Sequence, residues 1–372
     1  MWKNKLLFCF CCLMAFSIVN CAQGNPRAQE VKTKAAQAVV ILQEKVKKGY
    51  DVSSILPKLT RVKMLGKAGR LDDANALLDE ILEDFSELED KTRRINELAL
   101  FADDRVVNIE GYHGDAMEVF ISRDGYTMFF NSMKTKRGSK DIHFAKRVDD
   151  YNFRYIGEVA PINTKEVEGV PTMDQFNNFF YVTTHGYAPN NLVTMYQGKY
   201  KNGAVTNIKP LKELSLDKLM WLNMDSEISE DGNTLYSTQS YFGKGNHFPT
   251  KSYFFYAKKV GDKFVPQANS DHIFKNINSD EIVYGAGISK DELELFYTRL
   301  LLDQKKFESL RATRPSKDKA FGKPQVIKTI TGFSEAPALS ADENLLYYHK
   351  KSPVDGKFRI HVLHRRNPAG HH

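Results

Sequence analysis

Five glutamates stand at comparable points of the sequence, a few residues ahead of a recurring turn motif. They are Glu118, Glu168, Glu227, Glu281 and Glu335, with Asp225 and Asp280 close to two of them. If the segments that carry them line a channel, a ring of carboxylates could bind a cation, an amine or a basic peptide. The alternative is that the carboxylates accept hydrogen bonds from backbone amides and hold adjacent repeats of the fold together.

Two carboxyl groups can also do acid–base chemistry. Hydrolysis of a glycosidic bond requires a pair about 5 to 9.5 Å apart, one of them with a raised pKa. Because a glutamate recurs ahead of every turn, the pattern favours an architectural or binding role. We therefore predict no catalytic residue and a ligand-binding role for the five glutamates, with a furanosidase-type glycoside hydrolase as the alternative.

Other motifs that carry chemistry do not occur. The ten histidines form no His-Glu-x-x-His pair, and the sequence has neither a Gly-x-Ser-x-Gly elbow nor a Gly-x-x-x-x-Gly-Lys-Ser/Thr loop. We predict no metal site and no cofactor. A basic run is expected to form a solvated loop and not a nucleic-acid contact; it comprises Lys134, Lys136, Arg137 and Lys140.

The turn motif that follows the glutamates repeats five times. Each copy reads approximately Ser/Thr-x-Asp followed by an apolar pair, and the Asp residues are Asp124, Asp174, Asp231, Asp291 and Asp342. An Asp in such a turn accepts hydrogen bonds from backbone amides, and the apolar pair begins a buried strand. The glutamates stand 6, 6, 4, 10 and 7 residues before these Asp residues, so they need not be structurally equivalent.

One strand candidate stands on each side of each turn, and two further candidates follow in each complete repeat. A complete repeat therefore has four strands. This arrangement predicts a propeller blade. The fifth repeat ends near Arg366 without an outer strand, whereas residues 105–109 form a strand candidate that precedes the first blade. We predict that this N-terminal strand pairs with blade five and closes the ring. The fold class is therefore mainly β, a five-bladed β-propeller preceded by a small α-helical segment.

These repeats resemble the WD40-like β-propeller repeats of TolB-type envelope proteins. The resemblance covers residues 105–366 and is clearest in blade one; the matching residues there are Glu118, Ser122, Asp124, Gly125, Phe129, Phe130, Ser132, Gly138, Asp141 and Ile142. Glu335, Pro337, Ser340 and Asp342 match in blade five. The resemblance implies a propeller that acts in the cell envelope, although TolB usually has six blades and this chain has five repeats.

The residues before the repeats have apolar positions at helical spacing. Three helices are predicted between Pro26 and Phe101, and the glycines Gly66 and Gly69 mark the turn of a helical hairpin. This hairpin resembles one tetratricopeptide unit, which is too few for a solenoid groove. The predicted domains are a signal peptide at 1–24, a helical segment at 25–104, the propeller at 105–366 and a tail at 367–372.

The first residues have the pattern of a secretory signal peptide. Lys3 and Lys5 precede an apolar run of about 14 residues, shorter than the roughly 20 needed to span a bilayer. Cleavage after Gly24 and lipidation at Cys21 are both open interpretations. All four cysteines, Cys9, Cys11, Cys12 and Cys21, lie in this segment, so no disulfide is expected in the folded body.

Composition is consistent with an exported globular protein. The 42% hydrophobic and 12% aromatic content excludes a disordered chain or a collagen, and the net charge is +7. We expect a periplasmic or outer-membrane-associated protein, with membrane attachment if Cys21 is lipidated. The preferred prediction is a non-enzymatic binding or scaffolding propeller, whose partner is an envelope protein, a peptide or a glycan.

Overall fold

The computed structural model describes residues 26–48, 50, 52–133, 139–243, 245 and 248–366. The predicted signal peptide, its Cys21, the tail and most of the basic run lie outside these residues. The chain divides into two compact units: the first contains the residues up to Leu98 together with Ser352–Gly356, and the second contains Ala99–Lys351 and the residues from Lys357 onward. No helix of the described chain has both the length and the apolar character that crossing a bilayer requires.

The first unit consists of three helices, α1 (Pro26–Lys47), α2 (Ile55–Lys67) and α3 (Leu71–Leu98). Gly69, at φ +73°, stands in the turn between α2 and α3, as the sequence predicts. Arg27 bonds Asp72 at 2.7 Å and Lys34 bonds Asp79 at 2.6 Å. The later residue of α1 bonds the later residue of α3, so the two helices run in the same direction. Their apolar faces form one core, which includes Leu42, Leu78 and Ile81.

The second unit is a five-bladed β-propeller, which confirms the predicted fold class. Its strands are β1 (Phe101–Val106), β2 (Asn108–Glu110), β3 (Met117–Ile121), β4 (Thr127–Asn131), β5 (Ile142–Arg147), β6 (Asn152–Glu158), β7 (Glu168–Met173), β8 (Asn178–Thr183), β9 (Met195–Lys201), β10 (Ala204–Pro210), β11 (Trp221–Ile228), β12 (Thr234–Tyr241), β13 (Lys251–Val260), β14 (Lys263–Pro266), β15 (Val283–Ile288), β16 (Glu294–Leu301), β17 (Lys306–Thr313), β18 (Gln325–Val326), β19 (Ser334–Leu339), β20 (Leu345–Lys351) and β21 (Phe358–Arg365). A short helix, α4 (Ser270–Ile273), follows β14.

Each blade has four antiparallel strands, to which blade one adds β2 as a fifth, and the innermost strands are β3, β7, β11, β15 and β19. The predicted closure is confirmed, because β1 pairs with β21 and becomes the outer strand of blade five. The predicted strand at 105–109 is in fact divided. Residues Phe101–Val106 join blade five, whereas Asn108–Glu110 pair in parallel with β6 of blade one. The first strand also begins before the predicted boundary at 104.

The repeated turns have the hydrogen bonds that the motif predicts. In blade three, Ser229 Oγ donates to Asp231 at 2.6 Å, and Asp231 accepts the backbone N–H of Asn233 at 3.0 Å. Blades one and three place Gly125 and Gly232 at positive φ, and blades four and five place Glu292 (φ +60°) and Glu343 (φ +62°) there. The turn therefore tolerates a residue other than Gly because its hydrogen bonds hold the chain in place.

Candidate functional site

The innermost strands enclose a central channel, and each carries a β-bulge. Strand β3 contacts β7, and the series continues through β11, β15 and β19 back to β3. At each bulge two residues of the inner strand oppose one residue of the second strand. The first residue of each bulge is Glu118, Val170, Met224, Gly285 or Ala336. A bulge bends its strand and redirects side chains, and bulges are frequent beside functional sites.

Glu118 occupies the bulge of blade one, with φ +48°. Its carboxylate accepts a hydrogen bond from Lys140 Nζ at 3.0 Å, and its backbone N–H donates to His349 Nδ1 at 3.1 Å. Burial opposes ionisation of Glu118, but the charge and the hydrogen bond of Lys140 hold its pKa below the ordinary value. Burial likewise opposes the charge on Lys140, yet Glu118 raises the pKa of that ammonium group. Glu118 is therefore ionised at neutral pH.

Asp225 is the second residue of the bulge in blade three and is only 3% exposed. Its Oδ2 accepts hydrogen bonds from the backbone N–H groups of Gly285 and Ala286 in blade four. Its Oδ1 accepts one from Ser226 N at 3.1 Å. Burial, reinforced by the charge of Glu118, raises the pKa of Asp225 well above its ordinary value despite these hydrogen bonds. Asp225 therefore holds a proton at a pH where Glu118 has lost its own.

Glu335 stands just before the bulge of blade five and is held from two sides. Its Oε1 accepts a hydrogen bond from the hydroxyl of Tyr284, and its Oε2 lies 3.1 Å from His349 Nε2. Because His349 Nδ1 accepts the N–H of Glu118, its Nε2 carries the proton and donates to Glu335. Burial and the charge of Glu335 raise the pKa of Tyr284 well above its ordinary value, so that hydroxyl stays a donor.

One carboxylate oxygen of Glu118 and the side-chain nitrogen of Asn131 have unused hydrogen-bonding capacity. Among the described residues, Glu118 Oε2 and Asn131 Nδ2 are buried without a partner in hydrogen-bonding geometry. Both side chains approach Gly169, where an added Cβ would lie 3.0 Å from Glu118 Oε2 and 3.3 Å from Asn131 Oδ1. One atom accepts and the other donates, which is the pair of interactions that a hydroxyl group can satisfy.

The structure brings together only two of the five predicted glutamates, Glu118 and Glu335. Glu168 is buried within its own blade, where it accepts hydrogen bonds from Thr164 and Thr183 Oγ1 at 2.7 Å. Glu281 is exposed. The predicted single ring of five acids does not include these two residues, because the side chain of Glu168 is bonded within its own blade and Glu281 precedes the inner strand β15.

Glu227 lies three residues beyond the start of the bulge in blade three and has an architectural role. It accepts hydrogen bonds from Arg123 Nη2 at 2.7 Å and from Thr172 Oγ1 at 2.8 Å. Arg123 comes from the turn of blade one, and it also bonds the backbone oxygen of Met173 in blade two. One guanidinium group thus connects three blades, which is the architectural role that the sequence offered as the alternative for these glutamates.

We call the six residues around the bulges the channel cluster; they are Glu118, Lys140, Asp225, Tyr284, Glu335 and His349. The sequence did not indicate Tyr284 or His349. It indicated Asp225 only as an acid close to one of the five glutamates, and it placed Lys140 in a solvated loop. The repeat alignment aligns the turns, whereas these residues stand at the other end of the strands. In the part of the chain that the structure describes, no group of three or more His, Cys, Asp or Glu side chains is placed to hold a metal ion.

No family model matches the sequence, and no curated protein is significantly similar to it. The fold is similar to that of several solved propellers. An α-L-arabinofuranosidase from Podospora anserina has a TM-score of 0.44 at 13% identity, and the match covers 73% of this chain and 97% of that one. An endo-arabinase from Bacteroides thetaiotaomicron has a TM-score of 0.44 at 10% identity, and the match covers 71% of this chain and 98% of that one. A family 117 glycoside hydrolase from Zobellia galactanivorans has a TM-score of 0.47 at 12% identity, and the match covers 72% of this chain and 91% of that one.

These likenesses concern the fold and do not assign an activity to this chain. They correct the preferred functional prediction, a non-enzymatic binding or scaffolding propeller of the cell envelope, because the similar propellers are named as glycoside hydrolases. They agree with the alternative, and they do not support membership in the TolB-type family.

Proposed function

We propose that the protein is a glycoside hydrolase and that the channel cluster is its active site. One observation carries this proposal: the surroundings of Asp225 and Glu118, on the bulges of two different blades, shift the pKa values of the two carboxyl groups in opposite directions, upward for Asp225 and downward for Glu118. Carboxyl groups whose environments push their pKa values apart supply an acid and a base in the same site. Glycoside hydrolysis requires this combination.

The roles follow from the hydrogen bonds of each group. Asp225 is the general acid, since its Oδ1 has a single backbone donor and is the oxygen free to carry the proton to the leaving group. Glu118 is the ionised carboxylate that activates water or attacks the sugar, with Lys140 maintaining its charge. Glu335 is fixed by Tyr284 and His349, and it positions the substrate opposite this pair.

A sugar fits the polar atoms that line the site. Glu118 Oε2 and Asn131 Nδ2 offer an acceptor and a donor next to each other, and a sugar hydroxyl can donate to the first and accept from the second. An unpaired buried polar atom costs roughly 1–3 kcal/mol, so binding a hydroxyl group there is favourable. The predicted signal peptide, if it functions, would bring the enzyme to glycans outside the cytoplasm. The TolB-type resemblance stays a prediction about the repeat and does not change this proposal.

The proposal is tested by assaying the purified chain against aryl glycosides and against arabinan, xylan and galactan oligosaccharides, with released sugar as the readout. We expect turnover on at least one substrate, and a loss of about 100-fold or more in kcat for Asp225→Asn and Glu118→Gln. Glu281→Gln is the matched control, because this exposed glutamate lies outside the channel cluster and should leave kcat unchanged.

Two results would contradict the proposal. One is the absence of turnover on every substrate by protein that is folded by circular dichroism. The other is a substrate that Asp225→Asn and Glu118→Gln hydrolyse as fast as Glu281→Gln does.

A further inference from the structure

Aromatic side chains gather at the end of the propeller where the bulges lie. Trp221 begins the inner strand of blade three, and Tyr241 ends the second strand of the same blade. Phe307 lies at the start of β17 in blade four, and Phe333 immediately precedes β19 in blade five. All four positions are strand ends on the channel-cluster side, although they belong to three different blades.

The rings form two connected groups. In blade three the indole of Trp221 lies 5.4 Å from Tyr241 and 5.7 Å from Tyr253, measured between ring centroids. Across the blades, Phe248 lies 6.0 Å from Phe307, and Phe307 stacks on Phe333 at 4.0 Å with an interplanar angle of 6°. We call these six residues the aromatic arc: Trp221, Tyr241, Phe248, Tyr253, Phe307 and Phe333.

The arc leads directly to the channel cluster. Phe333 packs edge-on against Phe358 at 5.3 Å, and Phe358 packs against the imidazole of His349 at 5.5 Å. His349 in turn holds Glu335. Phe333 is therefore connected to Glu335 through two buried side chains, Phe358 and His349.

The arc keeps part of its aromatic surface in contact with water. Phe248 is 44% exposed, and the other five rings are half-buried. Partly exposed aromatic surface beside a polar site is typical of a ligand-binding groove. Lys351 lies 5.7 Å from the ring of Phe333, which adds a polar group to its border.

We propose that the aromatic arc binds the non-reacting sugar units of an extended glycan chain, whose terminal or cleaved unit enters the channel. This inference rests on the proposed function and deepens it, because it names a polymeric substrate. A sugar ring presents C–H groups on its faces and hydroxyl groups on its edges. Aromatic faces match the C–H groups, and the adjacent polar groups match the hydroxyls. Two groups of rings on different blades suit several sugar units better than they suit one small ligand.

Binding and turnover are measured separately, so that the two proposals can fail independently. Binding is followed by electrophoresis of the full chain in gels that contain arabinan, xylan or galactan, which requires no catalysis. We expect retarded migration in at least one gel, and loss of the retardation in Trp221→Ala and Phe333→Ala. Phe176→Ala is the matched control, because Phe176 is 55% exposed in a repeat turn outside the arc.

Kinetics provide the second readout. On oligosaccharides we expect KM to rise about tenfold in the two arc variants, with kcat on a short aryl glycoside unchanged. Trp221→Phe keeps an aromatic face and should restore most of the binding, which separates loss of the platform from misfolding. If Trp221→Ala and Phe333→Ala are retarded as strongly as wild type, the arc proposal is overturned and the hydrolase proposal is left intact. No retardation in any gel would overturn it as well. Retardation lost in both arc variants, without turnover by wild type, would support the arc and refute the hydrolase.

Discussion

The side chain of Glu118 depends on the absence of a side chain at Gly169. A Cβ at this position would meet Glu118 Oε2 at 3.0 Å and Asn131 Oδ1 at 3.3 Å. Gly169→Ala should therefore displace the carboxylate while leaving the fold intact. We expect kcat/KM to fall by about 10- to 100-fold, since a small misplacement of a catalytic group costs that much.

The matched control is Gly157→Ala, where an added Cβ would have no atom within 4 Å. Kinetics on the best substrate and thermal melting check both variants. Equal kcat/KM for the two would mean that Glu118 is not held at the position that catalysis requires.

Lys140 sets the pH range in which Glu118 is ionised. The pKa of Glu118 is lowered from 4.5 in the folded chain, so activity should be present above this pKa and should fall as the pH drops through it. Lys140→Met removes the neighbouring charge and raises the pKa of Glu118. The acidic limb of the kcat/KM profile should then move to higher pH. An acidic limb at the same pH in both proteins would show that another group controls it.

Sequence reasoning found some of the acids and missed their partners. Glu118 and Glu335 could be named because each stands near a repeat turn. Tyr284 and His349 could not, because they come from the strands of blades four and five and meet Glu335 only when the ring has closed. The raised pKa of Asp225 could not be predicted from the sequence either, since it depends on burial and on the charge of Glu118.

At the scale of the strands, the repeat predicted the blades well. The turn hydrogen bonds are local, so Ser/Thr-x-Asp marks the start of the second strand of each blade. The bulges were not predictable, because their first residues, Glu118, Val170, Met224, Gly285 and Ala336, share no side-chain type. A bulge is set by the register between two strands, and the sequence of one strand does not contain it.

Strand β1 should matter for the stability of the propeller more than its length suggests. It pairs with β21, its Phe101 is 2% exposed, and its Asp104 bonds Tyr348 at 2.8 Å. Removing residues 1–107 would expose the edge of β21 and this buried ring. Each lost hydrogen bond is worth about 1 kcal/mol and the buried phenylalanine about 3 kcal/mol. We expect a clearly lower melting temperature for this truncation.

Removing residues 1–98 is the control, because it leaves β1 in place. Thermal melting of the two truncations makes the comparison. Equal melting temperatures would show that β1 adds nothing to blade five.

At the scale of the whole molecule, Arg123 connects three blades around the channel. Its guanidinium group bonds Glu227 at 2.7 Å, and both side chains are largely buried, at 12% and 7% exposed. Arg123→Met should leave Glu227 without its cation and destabilise the protein by about 3 kcal/mol. Urea unfolding of the full chain measures this change.

Arg154→Met provides the comparison, because Arg154 pairs with Glu110 in an ion pair that is 67% and 64% exposed. Such a pair contributes at most about 1 kcal/mol. If the two substitutions cost the same, the blades do not depend on Arg123.

The pairing of β1 with β21 also constrains the time at which the molecule can be completed. Phe101 lies opposite Arg365, so the first strand of the propeller finds its partner only after the strands of all five blades have been synthesised. Contacts so distant in sequence form late and slowly. Blades one to four can therefore form while β1 is still without a partner. The channel cluster includes His349 of blade five, so we expect the cluster to be complete only when the ring closes.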